Sequence, residues 1–295
     1  MSDIEGAVDR TGRGLLRLTG PQRLWFLQQT ITADVDDLPS GRWRESAFLT
    51  PKGKIVAHFF VGAIDDEVYV DIDPPPTELA DWLIRYRFRT KVEIEDISSD
   101  VLTVIGPQAS GLAADGEIVR VGDAVVFGHT LGGVGYADVH GRTDALADLP
   151  RVDDEAFEAL RIRAGVPRFG VDYTTDHLPQ EAGLTRIVPV DKGCYVGQET
   201  VARIHFRGHV NRVLRPLELR DADPATAVGA ELSLLGARVG TITSAEAGGA
   251  AIGMVRVEPV AGVEVDVSAG GTAILGGVPE GTKVRASPED PSGTS

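Results

Sequence analysis

The chain has one cysteine, two methionines and few aromatic side chains, which make up 6% of its 295 residues. A single thiol excludes an internal disulfide framework, and it excludes an iron–sulfur cluster held by one chain in the usual four-cysteine manner. No apolar run is long enough to cross a bilayer, and the polar start MSDIEGAVDRTGRG lacks the apolar core of a secretion signal, so a cytoplasmic protein with no membrane partner is expected. Positive charge is also scarce. Lys and Arg number 29 against 44 Asp and Glu, a net charge of −15 that argues against a general binder of phosphate backbones. Neither a P-loop nor a GxGxxG element follows a predicted strand, which removes nucleotide binding from the leading readings.

What charge there is lies unevenly. Residues 161–220 hold ten Lys or Arg against six acids, and a basic stretch in an acidic chain suits a small anionic ligand better than a long polyanion. The one cysteine falls inside that stretch, in DKGCYVGQETVAR, residues 191–203. Asp191-Lys192-Gly193 has turn chemistry, so the spacing predicts a helix that opens just after it, with Cys194 near its N-terminus. There the helix N–H groups and the Lys192 ammonium would make an exposed thiol reactive; the plainer alternative is a small buried apolar residue. Gly197 would lie in the first turn, a costly place for glycine unless a second backbone or a ligand comes close. His205 and His209 are spaced i, i+4 but straddle Arg207-Gly208, where the helix should end, so no metal site is expected. His58 and His129 sit in apolar strand patterns and read as core or edge residues.

Along the chain, GLLRLT predicts a strand, and Thr19-Gly20-Pro21 turns into a helix with Pro21 first and Leu24, Trp25, Phe26 and Leu27 on its apolar face. A meander follows: strand Ala47 to Leu49, a turn at Pro51-Lys52-Gly53, strand Ile55 to Val61, a turn at Asp65-Asp66, strand Val68 to Ile72. After Pro74-Pro75-Pro76, helical spacing runs through Leu79, Trp82, Leu83 and Tyr86, and KVEIEDISSDVLTVIG returns to alternation. Residues 109–150 are rich in Gly and Ala and show only weak strands such as VVFGHTLG. DDEAFEALRIR predicts a helix ended by Gly165 and Pro167. From about Val210 short strands between Gly-rich turns read as a small β-barrel, and SPEDPSGTS as a disordered tail. This order gives an α+β fold class.

KGCYVGQETVAR followed by RGHVNRVL resembles the signature of the YgfZ family, folate-binding relatives of the glycine-cleavage T-protein that support iron–sulfur enzymes. TGPQRLWFLQQTITADV, FLTPKGKI, RAGVP and LPQEAGL are similar to further blocks of that family and stand in the family's order, so the resemblance covers most of the chain. It implies two interleaved ferredoxin-like lobes (residues 1–209) and a C-terminal β-barrel (210–285), ahead of a disordered 286–295, around a central cavity that receives tetrahydrofolate or a one-carbon derivative. A pterin's 2-amino-4-oxo edge offers paired N–H donors to a carboxylate or amide, and its glutamate tail is anionic. Glu181, Gln198 and Glu199 are the candidates for the ring, Lys192, Arg203 and Arg207 for the tail, and Tyr195 of the same motif is placed with them. Cys194 and Lys192 are the candidate reactive pair.

Two functions compete under this resemblance. One is an aminomethyltransferase of T-protein type, whose acid after the KG-containing hairpin is replaced here by Ala57 and His58. Its EAG triplet, whose Glu reads the pterin, is replaced by Arg163-Ala164-Gly165, and a cation cannot accept those N–H bonds. The YgfZ branch lacks the same acids. The second function, favoured by these departures, is a tetrahydrofolate-binding accessory protein for assembly or repair of iron–sulfur enzymes, with assembly proteins or client enzymes as partners. A scaffold that keeps the fold without a ligand is a third reading.

Overall fold

The computed structural model describes residues 4–73, 77–142, 146 and 148–283. The tail expected at 286–295 and the Pro74–Pro76 run lie outside the described residues. Strands β1 (Gly6–Asp9) and β2 (Gly14–Thr19) are neighbours in sequence yet enter different sheets. β2 joins β3 (Arg42–Leu49), β4 (Ile55–Ile64), β5 (Glu67–Ile72) and β6 (Glu93–Asp96) in the antiparallel order β3-β4-β5-β2-β6. Helices α1 (Arg23–Thr30) and α2 (Thr77–Arg87) cover one face of this sheet, where Leu16, Leu18, Phe26, Leu27, Phe48, Phe59, Leu79 and Leu83 form the core.

β1 instead pairs with β7 (Val101–Ile105), in a second antiparallel sheet that runs on through β10 (Val134–His140), β9 (Ala124–Leu131) and β8 (Ile118–Val121). Helices α3 (Pro107–Leu112) and α4 (Asp154–Arg163) belong to this lobe. That exchange of the first strand interleaves the two lobes. The stretch that looks weak in sequence supplies three strands of the second sheet. Ala124 to Gly128 are buried at successive positions, because β9 is covered on both faces, and a strand covered on both faces shows no alternation.

The lobes meet across a mixed interface. Trp43 Nε1 donates to the Gly128 carbonyl at 2.8 Å, with Phe60, Ile118 and Phe127 packed around it. Beside this apolar seam the Arg13 guanidinium reaches both oxygens of Asp71 at 2.7 and 2.8 Å and Asp138 at 3.3 Å, and His140 Nε2 lies 3.0 Å from Asp71. Burial opposes ionisation of Asp71, yet Arg13 and His140 outweigh it and hold the carboxyl well below the usual range.

After α5 (Gln198–Arg207) the chain closes a six-stranded barrel of β11 (Arg212–Arg220), β12 (Glu231–Leu234), β13 (Ala237–Ala245), β14 (Ala250–Arg256), β15 (Glu264–Val267) and β16 (Thr272–Leu275), with the short α6 (Pro224–Ala227) between β11 and β12. β16 pairs back onto β11, so no strand edge is left open. Two local readings need correction. The first helix starts at Arg23, after Pro21, and Trp25 is exposed on its outer side, so the apolar face consists of Leu24, Phe26 and Leu27. The helix after the cysteine starts at Gln198, with Gly197 as its cap, so Cys194 lies outside it and Gly197 precedes the first turn.

Candidate functional site

The position of Gly197 follows from packing. Its φ is +84°, and a Cβ there would stand 2.6 Å from the Thr50 carbonyl oxygen and 3.2 Å from the Gly53 Cα. The close approach is therefore to a second backbone, the Pro51–Gly53 turn between β3 and β4. Two stretches that carry the family resemblance, FLTPKGKI and KGCYVGQE, thus touch through a pair of glycines.

Lys192 is buried and donates to the carbonyls of Ile31, at 2.6 Å, and Ala33. Burial pulls its pKa down to about 8, against the opposing fields of Asp34 and Asp36. Its ammonium stands 5.5 Å from the Tyr195 ring centre, and Tyr195 donates its hydroxyl to the Pro189 carbonyl at 3.0 Å. Gln198 Nε2 closes the knot on the Lys192 carbonyl at 2.9 Å. Lys192, Tyr195 and Gln198 are brought together, with their polar groups spent on the loop itself and on residues 31–33. Cys194 is exposed on this loop as the free thiol, with the Lys192 ammonium turned inward. Along α5, Arg203 and Arg207 are exposed, and Glu199 lies in its first turn. Glu181 lies apart from them, paired with Arg212 at 3.1 Å and capping the Leu178 N–H at 3.0 Å.

None of these residues lines a cavity of about 620 Å³ where the first sheet, the barrel and the connecting loops meet. Glu45 on β3 and His58 on β4 form one wall, Gly165-Val166-Pro167 after α4 a second, and Leu184 to Arg186 with Leu214 to Pro216 a third. A cavity of this size, largely apolar with a few convergent polar groups, is the ordinary form of a small-molecule site. Its polar groups form one chain. Tyr173 Oη lies 2.7 Å from His58 Nδ1, His58 Nε2 lies 2.8 Å from Glu45 Oε1, and Arg186 Nη2 donates to both Glu45 oxygens at 2.7 Å.

The electrostatics fix the two ends of that chain. Burial raises the cost of charging Glu45, but His58 and Arg186 prevail and hold its pKa at about 2, so at neutral pH it only accepts hydrogen bonds. His58 Nε2 therefore carries the hydrogen given to Glu45. Burial pushes the Tyr173 phenol well above its ordinary range, so it keeps its proton beside Nδ1. The arrangement can accept an N–H donor from a ligand at Glu45. His58 is thus a cavity residue, whereas the alternation puts Ala57 in the core on the other side of β4. His129, by contrast, is buried as the apolar pattern suggested.

Neither sequence departure from the transferase points both its residues at this cavity. Arg163 turns to Glu246 of the barrel at 2.8 Å, while Gly165 two residues on lines the wall. Beyond His58 and Val166-Pro167 a narrower chamber of about 100 Å³ continues between the lobes, flanked by Arg10, Arg168, Asp73 and Glu158. Close by, Asp71, His129 and Asp138 bring three potential ligand atoms within 4.8 Å of one another, but the Arg13 guanidinium already supplies the cation between the two carboxylates.

No protein-family model matches the chain. Individual relatives do, along most of its length. It is 29% identical over 240 residues to the tRNA-modifying protein YgfZ of Yersinia enterocolitica, covering 74% of this chain and 72% of that one. It is 27% identical over 244 residues to the mitochondrial iron-sulfur cluster assembly factor IBA57 homolog of Mycosarcoma maydis, covering 72% of this chain and 60% of that one. Among solved structures, the glycine cleavage system aminomethyltransferase T of Bartonella henselae matches 94% of this chain and 87% of its own with a TM-score of 0.84 at 21% identity. The fold, two lobes and a closed barrel, is that of the aminomethyltransferase T-proteins. Within that fold the sequence is YgfZ-like, as KGCYVGQE implied.

Proposed function

We propose that the chain binds a reduced folate in the cavity of about 620 Å³ and serves iron–sulfur enzymes, including those that act in tRNA modification. The observation that carries the folate reading is Glu45, a carboxylate kept ionised by His58 and Arg186 in the wall of that cavity. His58 and Arg186 occupy three of its roughly four acceptor sites, which leaves a place on Oε2 for one N–H of a pterin edge. The T-protein fold supports the ligand class, and the names of the relatives in Yersinia and Mycosarcoma support the cellular setting. In this reading the pterin contacts Glu45 and His58. The loop with exposed Cys194, held in shape by Lys192, Tyr195 and Gln198, faces a client protein. Arg203 and Arg207, exposed on α5, flank that contact, and Glu181 braces the wall through Arg212.

The aminomethyltransferase reading keeps one support, a hydrogen-bonding side chain, His58, in the cavity wall at the place of the transferase acid. Calorimetry with tetrahydrofolate, beside an assay for ammonia release from an aminomethylated carrier protein, separates the two. The accessory reading expects one folate bound per chain, about ten-fold or more weaker binding in Glu45→Gln, and no ammonia release. Unchanged binding in Glu45→Gln would remove the folate from this wall, and turnover would restore the transferase.

A further inference from the structure

A second surface, on the outer side of the first lobe, has no part in the cavity. The stretch RYRFRTK, Arg85 to Lys91, alternates cations with aromatic rings at the end of α2. Every residue from Ile84 to Arg89 is exposed, as is Lys91. Arg23 nearby is paired with Asp66 at 3.2 Å, but Arg85, Arg87, Arg89 and Lys91 form no ion pair among the described residues. Four uncompensated cations within seven residues stand out in a chain of net charge −15.

The aromatics are placed at a conformational cost. Phe88 adopts φ +45°, the left-handed region at the end of a helix where glycine is the ordinary residue, and a bulky side chain there is an outlier. Its ring gains nothing from packing in return, being 87% exposed. The Arg89 guanidinium lies 5.7 Å from its centre. Trp25, on the outer side of α1, is 55% exposed and faces the same hollow of about 400 Å³, which Tyr86, Phe88 and Arg89 share with the amides of Gln22 and Gln29. Tyr86 is propped against Trp82 and Phe48, at centroid separations of 6.2 and 5.6 Å. Strain kept at an exposed residue points to a surface that acts on something outside the chain.

We infer that this hollow binds single-stranded RNA, with bases stacked on Phe88, Tyr86 and Trp25 and phosphates held by Arg85, Arg87, Arg89 and Lys91. Stacking rings interleaved with cations is the chemistry that single strands require, since unstacked bases present their faces and the backbone its charge. Amide side chains in the hollow supply donors and acceptors for base edges and the 2′-hydroxyl. The overall negative charge limits binding to this patch, which agrees with the exclusion of a general backbone binder. A membrane surface suits the same residue types, but the rings stand beside the amides of Gln22 and Gln29, polar groups that an acyl interior leaves unpaired and that base edges can pair. The inference stands apart from the folate reading, because no residue of the hollow lines the cavity.

Fluorescence anisotropy of the full chain with a labelled single-stranded RNA of about 12 nucleotides tests it. Saturable binding at low salt is expected, weakened about ten-fold or more by Phe88→Gly or Trp25→Ala. Changing Arg87 and Arg89 together to Gln should lower the steepness of the log affinity against log salt plot by about 1.4, at roughly 0.7 for each phosphate no longer neutralised. Phe88→Gly also removes the left-handed strain, so its thermal midpoint should match or exceed that of the parent. A lower midpoint accompanying the weaker binding would mark Phe88 as a packing residue and overturn the assignment. So would unsaturable binding, affinity indifferent to both ring substitutions, equal affinity for single-stranded DNA, or flotation with phosphatidylserine vesicles without RNA binding.

Discussion

The loop at 191–199 spends its polar groups on itself, whereas the cavity wall presents them to an open volume. Lys192, Gln198 and Tyr195 satisfy backbone carbonyls in and just before the loop and at residues 31–33, and Cys194 faces outward with Asp191 and Glu199. Glu45, His58 and Arg186 form an equally tight chain, but its side faces a volume of about 620 Å³. The loop is dense with motif residues, whereas Glu45, His58 and Arg186 lie outside the blocks that carry the resemblance. A dense motif can specify the shape of a loop, while the groups that meet a ligand can stand on plain strands, assembled from residues as distant as 45 and 186.

Substitutions can break that contrast, and the largest effect should come from the loop's shape. Gly197→Ala forces a Cβ to 2.6 Å from the Thr50 carbonyl at a φ of +84°, with backbone on the far side and nothing flexible to yield. A loss of about 3 kcal/mol or more in urea unfolding is expected. A variant as stable as the parent would mean that the hairpin and loop separate at no cost, and that the motif does not work through shape.

The cavity wall should show itself through pH. The Glu45 pKa is about 2 in the folded chain against an ordinary 4.5, so its contribution is fully present above about pH 4.5 and is lost as pH falls toward 2. The group is mostly buried, and the shift corresponds to about 3 kcal/mol. The stability gap between the parent and Glu45→Gln, measured by denaturant unfolding, should therefore shrink as pH falls below about 4.5. A gap that stays constant across that window would place the Glu45 contribution in packing and not in charge.

Cys194 should give the smallest effect. Exposed, and outside the helix that follows, it should alkylate in the native protein, and Cys194→Ala should shift stability by less than about 0.5 kcal/mol. Alkylation only on unfolding, with a clear loss for the alanine variant, would make the thiol a packing group like its neighbour Tyr195.

Much of this architecture is legible in the sequence, and the parts that are not share physical reasons. The meander, α2, α4 and the barrel strands follow from alternation, helical spacing and turn glycines. The start of α5 is misread because Gly197 looks alike as a costly helical residue or as a left-handed cap, and only the Thr50 carbonyl beside it decides. β9 looks weak because packing on both faces erases alternation. His58 reads as a core residue for a similar reason. IVAHFFV is apolar on both sides of β4, one side facing α1 and α2 and the other the cavity and the second lobe. Its partner Tyr173, and Arg186 as the partner of Glu45, lie more than a hundred residues away, beyond the reach of any local pattern.

The exchange of β1 into the second sheet also sets an order of assembly. Gly6 pairs with Ile105, so on a ribosome β1 must wait for about a hundred residues of synthesis before this partner exists. β2 to β6, contiguous apart from their helices, need no such delay and can close first. The same threading makes the lobes inseparable by a single cut: any break between them leaves the second sheet without its edge strand, and that strand stranded on the wrong fragment.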